Sequence, residues 1–173
     1  MTCSEYLFCT SECPTNCLQS KTSLDQGINN SHFDKISETQ LNLAVERRNG
    51  DFVRSQILMD RVEACHDLSD GGLLVALAEM AIAGGTGLEI SLPAANTTPA
   101  HAFLYGEDQG RYVIASGSAD DVIEAARLAG VPAVLLGYSG GASLVVRDVL
   151  SLPLSDIKSA HEAWLPGYMA ATE

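Results

Sequence analysis

The sequence has few basic residues and no hydrophobic stretch long enough to form a transmembrane helix. Its 173 residues include 10 Lys and Arg against 22 Asp and Glu, which gives a formal net charge of −12. Nucleic acid is therefore excluded as an expected partner, because binding to a phosphate backbone relies on basic patches. The N-terminus also lacks the basic-then-apolar pattern of a signal peptide. We predict a cytoplasmic protein with neither a nucleic-acid nor a membrane partner.

Neither standard nucleotide-binding loop, G-x-x-x-x-G-K-[ST] or G-x-G-x-x-G, occurs in the chain. Cysteine is nearly confined to one end, since four of the five cysteines fall within the first 17 residues: Cys3, Cys9, Cys13 and Cys17. Such crowding does not resemble the framework of a disulfide-stapled domain. The spacing matches no common zinc or iron–sulfur pattern, and Pro14 would interrupt a helix there. Metal binding by these four cysteines is the alternative to a flexible N-terminal segment.

The composition changes near residue 40 and indicates two regions. Residues 1–40 are rich in Ser, Thr, Asn and Cys without a sustained hydrophobic period, which predicts an irregular, flexible leader. Residues 41–173 carry regular hydrophobic patterns and are expected to form one domain.

The patterns of the second region predict an α/β domain. Helices are predicted for 41–60, 72–83, 100–104, 120–129 and 155–165, and strands for 88–92, 112–115, 133–138 and 143–147. Residues 62–66 are expected to be short and extended, leading into the polar turn that follows. Pro166 is expected to stop the last helix, and the Gly140-Gly141 turn to join the last two strands as a hairpin. This order predicts a layered fold with a mixed sheet of about four strands covered by helices.

The most informative stretch is a polar, glycine-rich turn that leads directly into the most apolar helix. The turn is His66-Asp67-Leu68-Ser69-Asp70-Gly71-Gly72. Helix N-termini present unpaired N–H groups that attract phosphate, and carboxylates beside them suit Mg²⁺. The alternative is an ordinary helix cap, with Ser69 or Asp70 as the capping residue.

Other polar residues allow two interpretations each. His66 beside Asp67 could be a general acid or base with its orienting carboxylate, or a structural hydrogen-bonding residue at the end of a strand. Glu107 and Asp108 could add metal ligands or contact a neighbouring domain, or they could simply form a solvated turn.

Three blocks of the sequence together resemble the last domain of the phosphoribosylformylglycinamidine synthase family. The blocks are 66–81 (HDLSDGGLLVALAEMA), 104–113 (LYGEDQGRYV) and 160–169 (AHEAWLPGYM). The resemblance starts near residue 43 and runs to the C-terminus. It implies the fold of the AIR synthase C-terminal domain superfamily.

The resemblance also implies an ATP-dependent C–N ligase of purine biosynthesis. This family converts formylglycinamide ribonucleotide to the amidine with ATP, Mg²⁺ and glutamine-derived ammonia. By position in the motif, Asp67 corresponds to a magnesium ligand and Ser69 to a nucleotide contact. Gly71 and Gly72 are assigned to ATP or ADP binding, with His66, Asp70, Glu107 and Asp108 in support. In the family's long form, the nucleotide site of the second half of the polypeptide is auxiliary and not catalytic. We therefore predict that these residues bind nucleotide and that none of them is catalytic.

The family places its catalytic histidine and main phosphate loop in preceding domains that this sequence does not contain. We therefore expect the chain to be inactive alone, as a C-terminal fragment behind an unrelated leader or, less favoured, as a separate subunit. The implied partners are the remaining synthase domains, the glutaminase subunit and a small accessory subunit. The alternative is a non-catalytic interaction or regulatory module of the same fold.

Overall fold

The computed structural model describes residues 43–94, 98–107 and 110–170, together with the backbone of residues 6–10. The elements in chain order are β1 (Tyr6–Thr10), α1 (Leu43–Leu58), β2 (Ala64–Asp67), α2 (Gly72–Gly84), β3 (Leu88–Ile90), α3 (Ala100–Tyr105), β4 (Tyr112–Ser116), α4 (Ala119–Ala129), β5 (Ala133–Ser139), β6 (Ser143–Val146), β7 (Leu150–Pro153) and α5 (Leu154–Ala170). The predicted α/β class with a mixed sheet is confirmed.

The sheet has seven strands in the order β2-β4-β1-β5-β3-β6-β7, which is more than the four or so expected. One pair, β3 with β6, is parallel and the other neighbours are antiparallel. The additional strands are β1, β2 and β7. Strand β2 overlaps the extended segment expected over residues 62–66, whereas β1 and β7, at five and four residues, carry too few alternations for the sequence pattern to reveal them.

Strand β1 lies in the interior of the sheet, between β4 and β5. An irregular leader was expected across residues 1–40, and the structure differs from this expectation at Tyr6–Thr10. The pairing partners Tyr112–Ser116 and Ala133–Ser139 lie more than 100 residues further along the chain, so no local pattern could predict the pairing. The other leader residues lie outside the described part, and the domain boundary at residue 40 stays a prediction.

The predicted hairpin between β5 and β6 is wrong, because β3 lies between them. The glycine loop instead passes over the start of β3. Gly87 donates its N–H to the Gly141 carbonyl at 3.0 Å, and Gly140 donates to the Gly87 carbonyl at 2.7 Å. Consecutive glycines provide a sharp turn in either arrangement, so the local sequence does not distinguish the two.

Helices cover both faces of the sheet, and alternate residues of β4 supply the two cores. Val113 and Ala115 pack with α2 and α3, whereas Ile114 packs with α1 and α4. Helix α2 is the most deeply buried helix, with Leu73 and Leu77 fully inaccessible. Its nearly uniform apolar character follows from this burial.

Helix α5 continues through Pro166 to Ala170, so the predicted stop at Pro166 is wrong. Proline removes one helical hydrogen bond, but α5 has no buried side chains and the freed carbonyl of Glu162 can bind water. Its apolar residues Trp164, Leu165, Tyr168 and Met169 are 57–68% exposed. No helix within the described ranges has both the length and the apolar character required to cross a membrane.

Candidate functional site

The glycine-rich turn connects the end of β2 to the start of α2. Gly72 donates its N–H to the Ser69 carbonyl at 2.9 Å. Gly71 has φ 82° and ψ −1°, the values of the third residue of a type II turn, and glycine adopts them without steric cost. The predicted cap by Ser69 or Asp70 is wrong, since Gly71 is the N-cap residue and no side chain of the cap bonds to the helix. The Ser69 backbone carbonyl, and not its side-chain hydroxyl, makes the hydrogen bond that forms this turn.

The acidic turn that precedes β4 meets the start of α2. The Gly71 N–H donates to Oε1 of Glu107 at 2.8 Å, across 36 residues of sequence. The two segments pack closely: a Cβ added to Gly72 would lie 2.7 Å from the Gly106 carbonyl oxygen. The structure therefore brings together two of the blocks that the sequence singled out. Asp108 lies outside the described residues.

Three contacts hold Gly110 and Arg111, just before β4, at this position. Asn49 of α1, a buried residue, donates its side-chain amide to the Gly110 carbonyl at 3.1 Å. The Leu68 N–H donates to the Arg111 carbonyl at 2.9 Å. The Arg111 guanidinium lies over the Phe103 ring, 5.6 Å from its centroid. No sequence pattern indicated the Asn49 contact, because a polar residue on an amphipathic helix is expected to face solvent.

His66 and Asp67 project toward opposite faces of the sheet, as successive strand residues do. His66 is paired in the β2–β4 ladder with Val113, and its Nε2 lies 2.8 Å from Oε2 of Glu79 on α2. The Asp67 carboxylate is 3.8 Å from Nδ1 of His66, too far for a hydrogen bond. This arrangement favours the structural interpretation of His66. Glu79 is the one charged residue on an otherwise apolar helix, a sequence feature that indicates a specific partner.

Asp67 faces the α1 side of the sheet, opposite Tyr112 in the ladder. Burial raises the pKa of Tyr112, and the nearby Cys65, Asp67 and Glu46 raise it further. Burial, followed by the Asp67 charge, likewise raises the pKa of the Cys65 thiol. The Asp67 carboxylate thus contributes to a negative local field at the end of β2.

The described part of the chain contains no group of three His, Cys, Asp or Glu side chains that could hold a metal ion. Mg²⁺ is commonly held by one or two carboxylates together with phosphate and water, so an exposed Asp67 fits the role of a single ligand. It does not constitute a complete metal site. The side chains of Cys3, Cys9, Cys13 and Cys17 lie outside the described residues.

A cavity of about 670 Å³ lies between the second half of α2, α5 and the sheet, and His66, the first residue of the turn, lines it. Its wall is mostly apolar, with polar groups from His66, Glu79, Thr86, Ser139 and His161. Ser69, Gly71 and Gly72 do not line it. This cavity and the candidate nucleotide contacts at Ser69, Gly71 and Gly72 are therefore different places, with His66 between them.

Comparisons with known proteins agree on one family. Residues 16–149 match the model of the family described as AIR synthase related protein, C-terminal domain. The chain is 49% identical over 140 residues to the phosphoribosylformylglycinamidine synthase subunit PurL of Parvibaculum lavamentivorans, covering 80% of the chain and 19% of that protein. It is 52% identical over 130 residues to the subunit PurL of Acidiphilium cryptum, covering 75% of the chain and 18% of that protein. The chain thus spans about a fifth of the length of these relatives.

Two solved structures share the fold. The PurLQS structure from Thermotoga maritima superposes with a TM-score of 0.64 at 18% identity, covering 87% of this chain and 25% of that one. T. maritima PurL complexed with ATP gives a TM-score of 0.64 at 15% identity, covering 88% and 25%. At this identity the likeness is one of fold alone.

Proposed function

We propose that this chain, which belongs to the AIR synthase related protein, C-terminal domain family, works as the C-terminal domain of a phosphoribosylformylglycinamidine synthase. The observation that carries the proposal is the 49–52% identity to PurL subunits over three quarters or more of the chain. The synthase makes formylglycinamidine ribonucleotide from formylglycinamide ribonucleotide, ATP and glutamine-derived ammonia. The chain corresponds to about a fifth of its relatives, so the reaction depends on the remaining domains.

Within such an enzyme, we assign to this domain one edge of a magnesium–nucleotide site. Asp67 would supply a carboxylate ligand, and Ser69 with the Gly71 and Gly72 backbone would contact the nucleotide. The support is local: the turn places N–H groups at the start of α2, and Asp67 ends the strand immediately before it. Bound Mg²⁺ would neutralise phosphate charge there. No step of bond formation is assigned to these residues.

The remaining synthase domains, a glutaminase subunit and a small accessory subunit are the proposed partners. The PurLQS structure from T. maritima, whose fold this chain shares, supports an assembly of this kind. We place the chain in the cytoplasm with them. Co-expression of the chain with the missing domains should restore ATP-dependent amidine formation. Failure of a correctly folded chain to do so would remove the separate-subunit version of the proposal.

Calorimetry on the 173-residue chain tests the nucleotide edge. Mg-ADP should release measurable heat with the wild type, less heat with S69A, and a weaker, magnesium-independent response with D67N. The variant D121N, which removes an exposed carboxylate from the first turn of α4, is the matched control and should bind like wild type. Equal heats for wild type and D67N would contradict the assignment of Asp67.

A non-catalytic interaction module is the second candidate, and the exposed face of α5 favours it. Trp164 and Tyr168 stack with ring centroids 5.6 Å apart on a helix without buried side chains. This candidate predicts partner binding that is independent of Mg-ADP and lost in W164A. The nucleotide candidate predicts that D67N, and not W164A, changes the response to Mg-ADP.

A further inference from the structure

The start of α2 already carries an anion supplied by the chain itself. Oε1 of Glu107 accepts the Gly71 N–H at 2.8 Å; Glu107 is exposed and Gly71 is half-buried. The contact joins two segments 36 residues apart, so it is a tertiary contact and not a local cap. The Gly71 N–H donates to this side-chain carboxylate, whereas the Leu68 N–H of the same turn donates to the backbone carbonyl of Arg111.

A carboxylate oxygen at this distance occupies the place that a phosphate oxygen would take. N–H groups at a helix N-terminus attract either anion through the same hydrogen bond and the same partial positive charge. One N–H cannot donate a full hydrogen bond to both, and two anions side by side repel each other. A phosphate group would therefore have to displace Glu107.

The packing around Glu107 keeps its carboxylate close to the turn. Gly72 allows the Gly106 backbone to approach α2 at a distance that no Cβ would permit. Asn49 holds Gly110 on the other side of the acidic residue. A displaced Glu107 side chain therefore remains tethered within reach and returns when the phosphate leaves.

We propose that Glu107 makes an autoinhibitory contact, competing with nucleotide phosphate for the Gly71 N–H. The inference rests on the proposed nucleotide edge at Ser69, Gly71 and Gly72. Glu107 would then lower the affinity of that edge for nucleotide phosphate, and anions that bind too weakly to displace Glu107 would be excluded. It also reverses the supporting role that the sequence assigned to Glu107.

Calorimetry of the 173-residue chain with ADP in the presence of EDTA tests the competition without a metal. E107A is expected to bind ADP about two- to five-fold more tightly than wild type, the range for one exposed charge at a helix terminus. E107Q should fall between them, because its amide oxygen still accepts the N–H but carries no charge. E124Q removes the same charge from the exposed side of α4 and should leave the affinity unchanged.

A second measurement follows the contact directly. The ¹⁵N–¹H resonance of Gly71 should move in ligand-free E107A and stay in place in E124Q. An unmoved Gly71 resonance would overturn the inference, because the contact would then be absent in solution.

The outcomes separate the inference from the function beneath it. If wild type binds ADP as tightly as E107A, or more tightly, the competition is overturned, but the proposed nucleotide edge is not. Weaker binding of E107Q only when Mg²⁺ is present would make Glu107 a metal ligand, which also overturns it. Absence of ADP binding in wild type and in all variants, with and without Mg²⁺, overturns the nucleotide edge and the competition together.

Discussion

Replacing Gly72 with alanine should destabilise the fold far more than the same change at Gly85, at the other end of α2. Both glycines have left-handed φ values, +68° and +63°. A Cβ at Gly72 would lie 2.7 Å from the Gly106 oxygen and from the Tyr105 carbonyl carbon, whereas at Gly85 it would meet nothing within 4 Å. The pair therefore separates the cost of close packing from the cost of backbone conformation.

The magnitudes follow from these contacts. The left-handed conformation costs an L-residue about 1–2 kcal/mol, and this cost applies to both variants. Overpacking adds about 1–3 kcal/mol at Gly72 alone, because the obstructing atoms belong to backbone that cannot rotate away. The reduced freedom of the unfolded chain offsets part of the loss equally in both variants. We expect G72A to lose about 2–5 kcal/mol and G85A about 1–2 kcal/mol.

Urea unfolding followed by far-ultraviolet circular dichroism measures both free energies of unfolding. G130A, at another glycine with φ +66° and open space around it, is a second control and should behave like G85A. Equal midpoints and equal m-values for G72A and G85A would refute the close packing of α2 on the 104–107 segment. The site geometry that depends on that packing would then be wrong as well.

Three further predictions concern other parts of the molecule. L77A, at a fully buried position of α2, should lower the free energy of unfolding by about 2–5 kcal/mol, and a loss below 1 kcal/mol in urea unfolding would contradict its central place in the core. Cys65 should be alkylated slowly at pH 8, because its raised pKa reduces the thiolate fraction. D67N removes part of the cause and should speed the alkylation, measured on the Cys65 peptide by mass spectrometry. Slower alkylation of D67N than of wild type would contradict the argument. Trp164, the single tryptophan and 68% exposed, should be quenched efficiently by iodide in the isolated chain and protected once the missing domains are added; protection in the isolated chain would contradict the exposed α5 face.

The helices were predictable because their determinants are local. Helix α4 illustrates this, with acidic residues in its first turn and Gly130 in the left-handed conformation at its end. Helix α2 is similar: its apolar run and the glycines at its two ends gave bounds within one residue of those observed. Helix α5 was predicted to be too short. The rule that proline ends a helix assumes that the freed carbonyl cannot bind water, whereas α5 has no buried side chains.

The candidate site was predictable as a list of residues and not as an arrangement. Alternation along a strand already implies that His66 and Asp67 face opposite sides, so the sequence contained the signal that separates them. The contact of Gly71 with Glu107 had no such signal, because it depends on how two distant segments pack. The roles of Asp67 and Ser69 in nucleotide binding stay predictions until the calorimetry is done.

The sequence by itself determined the α/β class, the positions of the helices and the family, since these follow from periodicity, capping residues and motifs read over short windows. Tertiary structure alone decided the order of the seven strands, the place of β1 between β4 and β5, and the insertion of β3 between β5 and β6. It also placed the Glu107 carboxylate on the Gly71 N–H. The physical reason is the same in each case: strand pairing and anion capping join groups that are far apart in sequence, and their free energy is set by the whole packed fold.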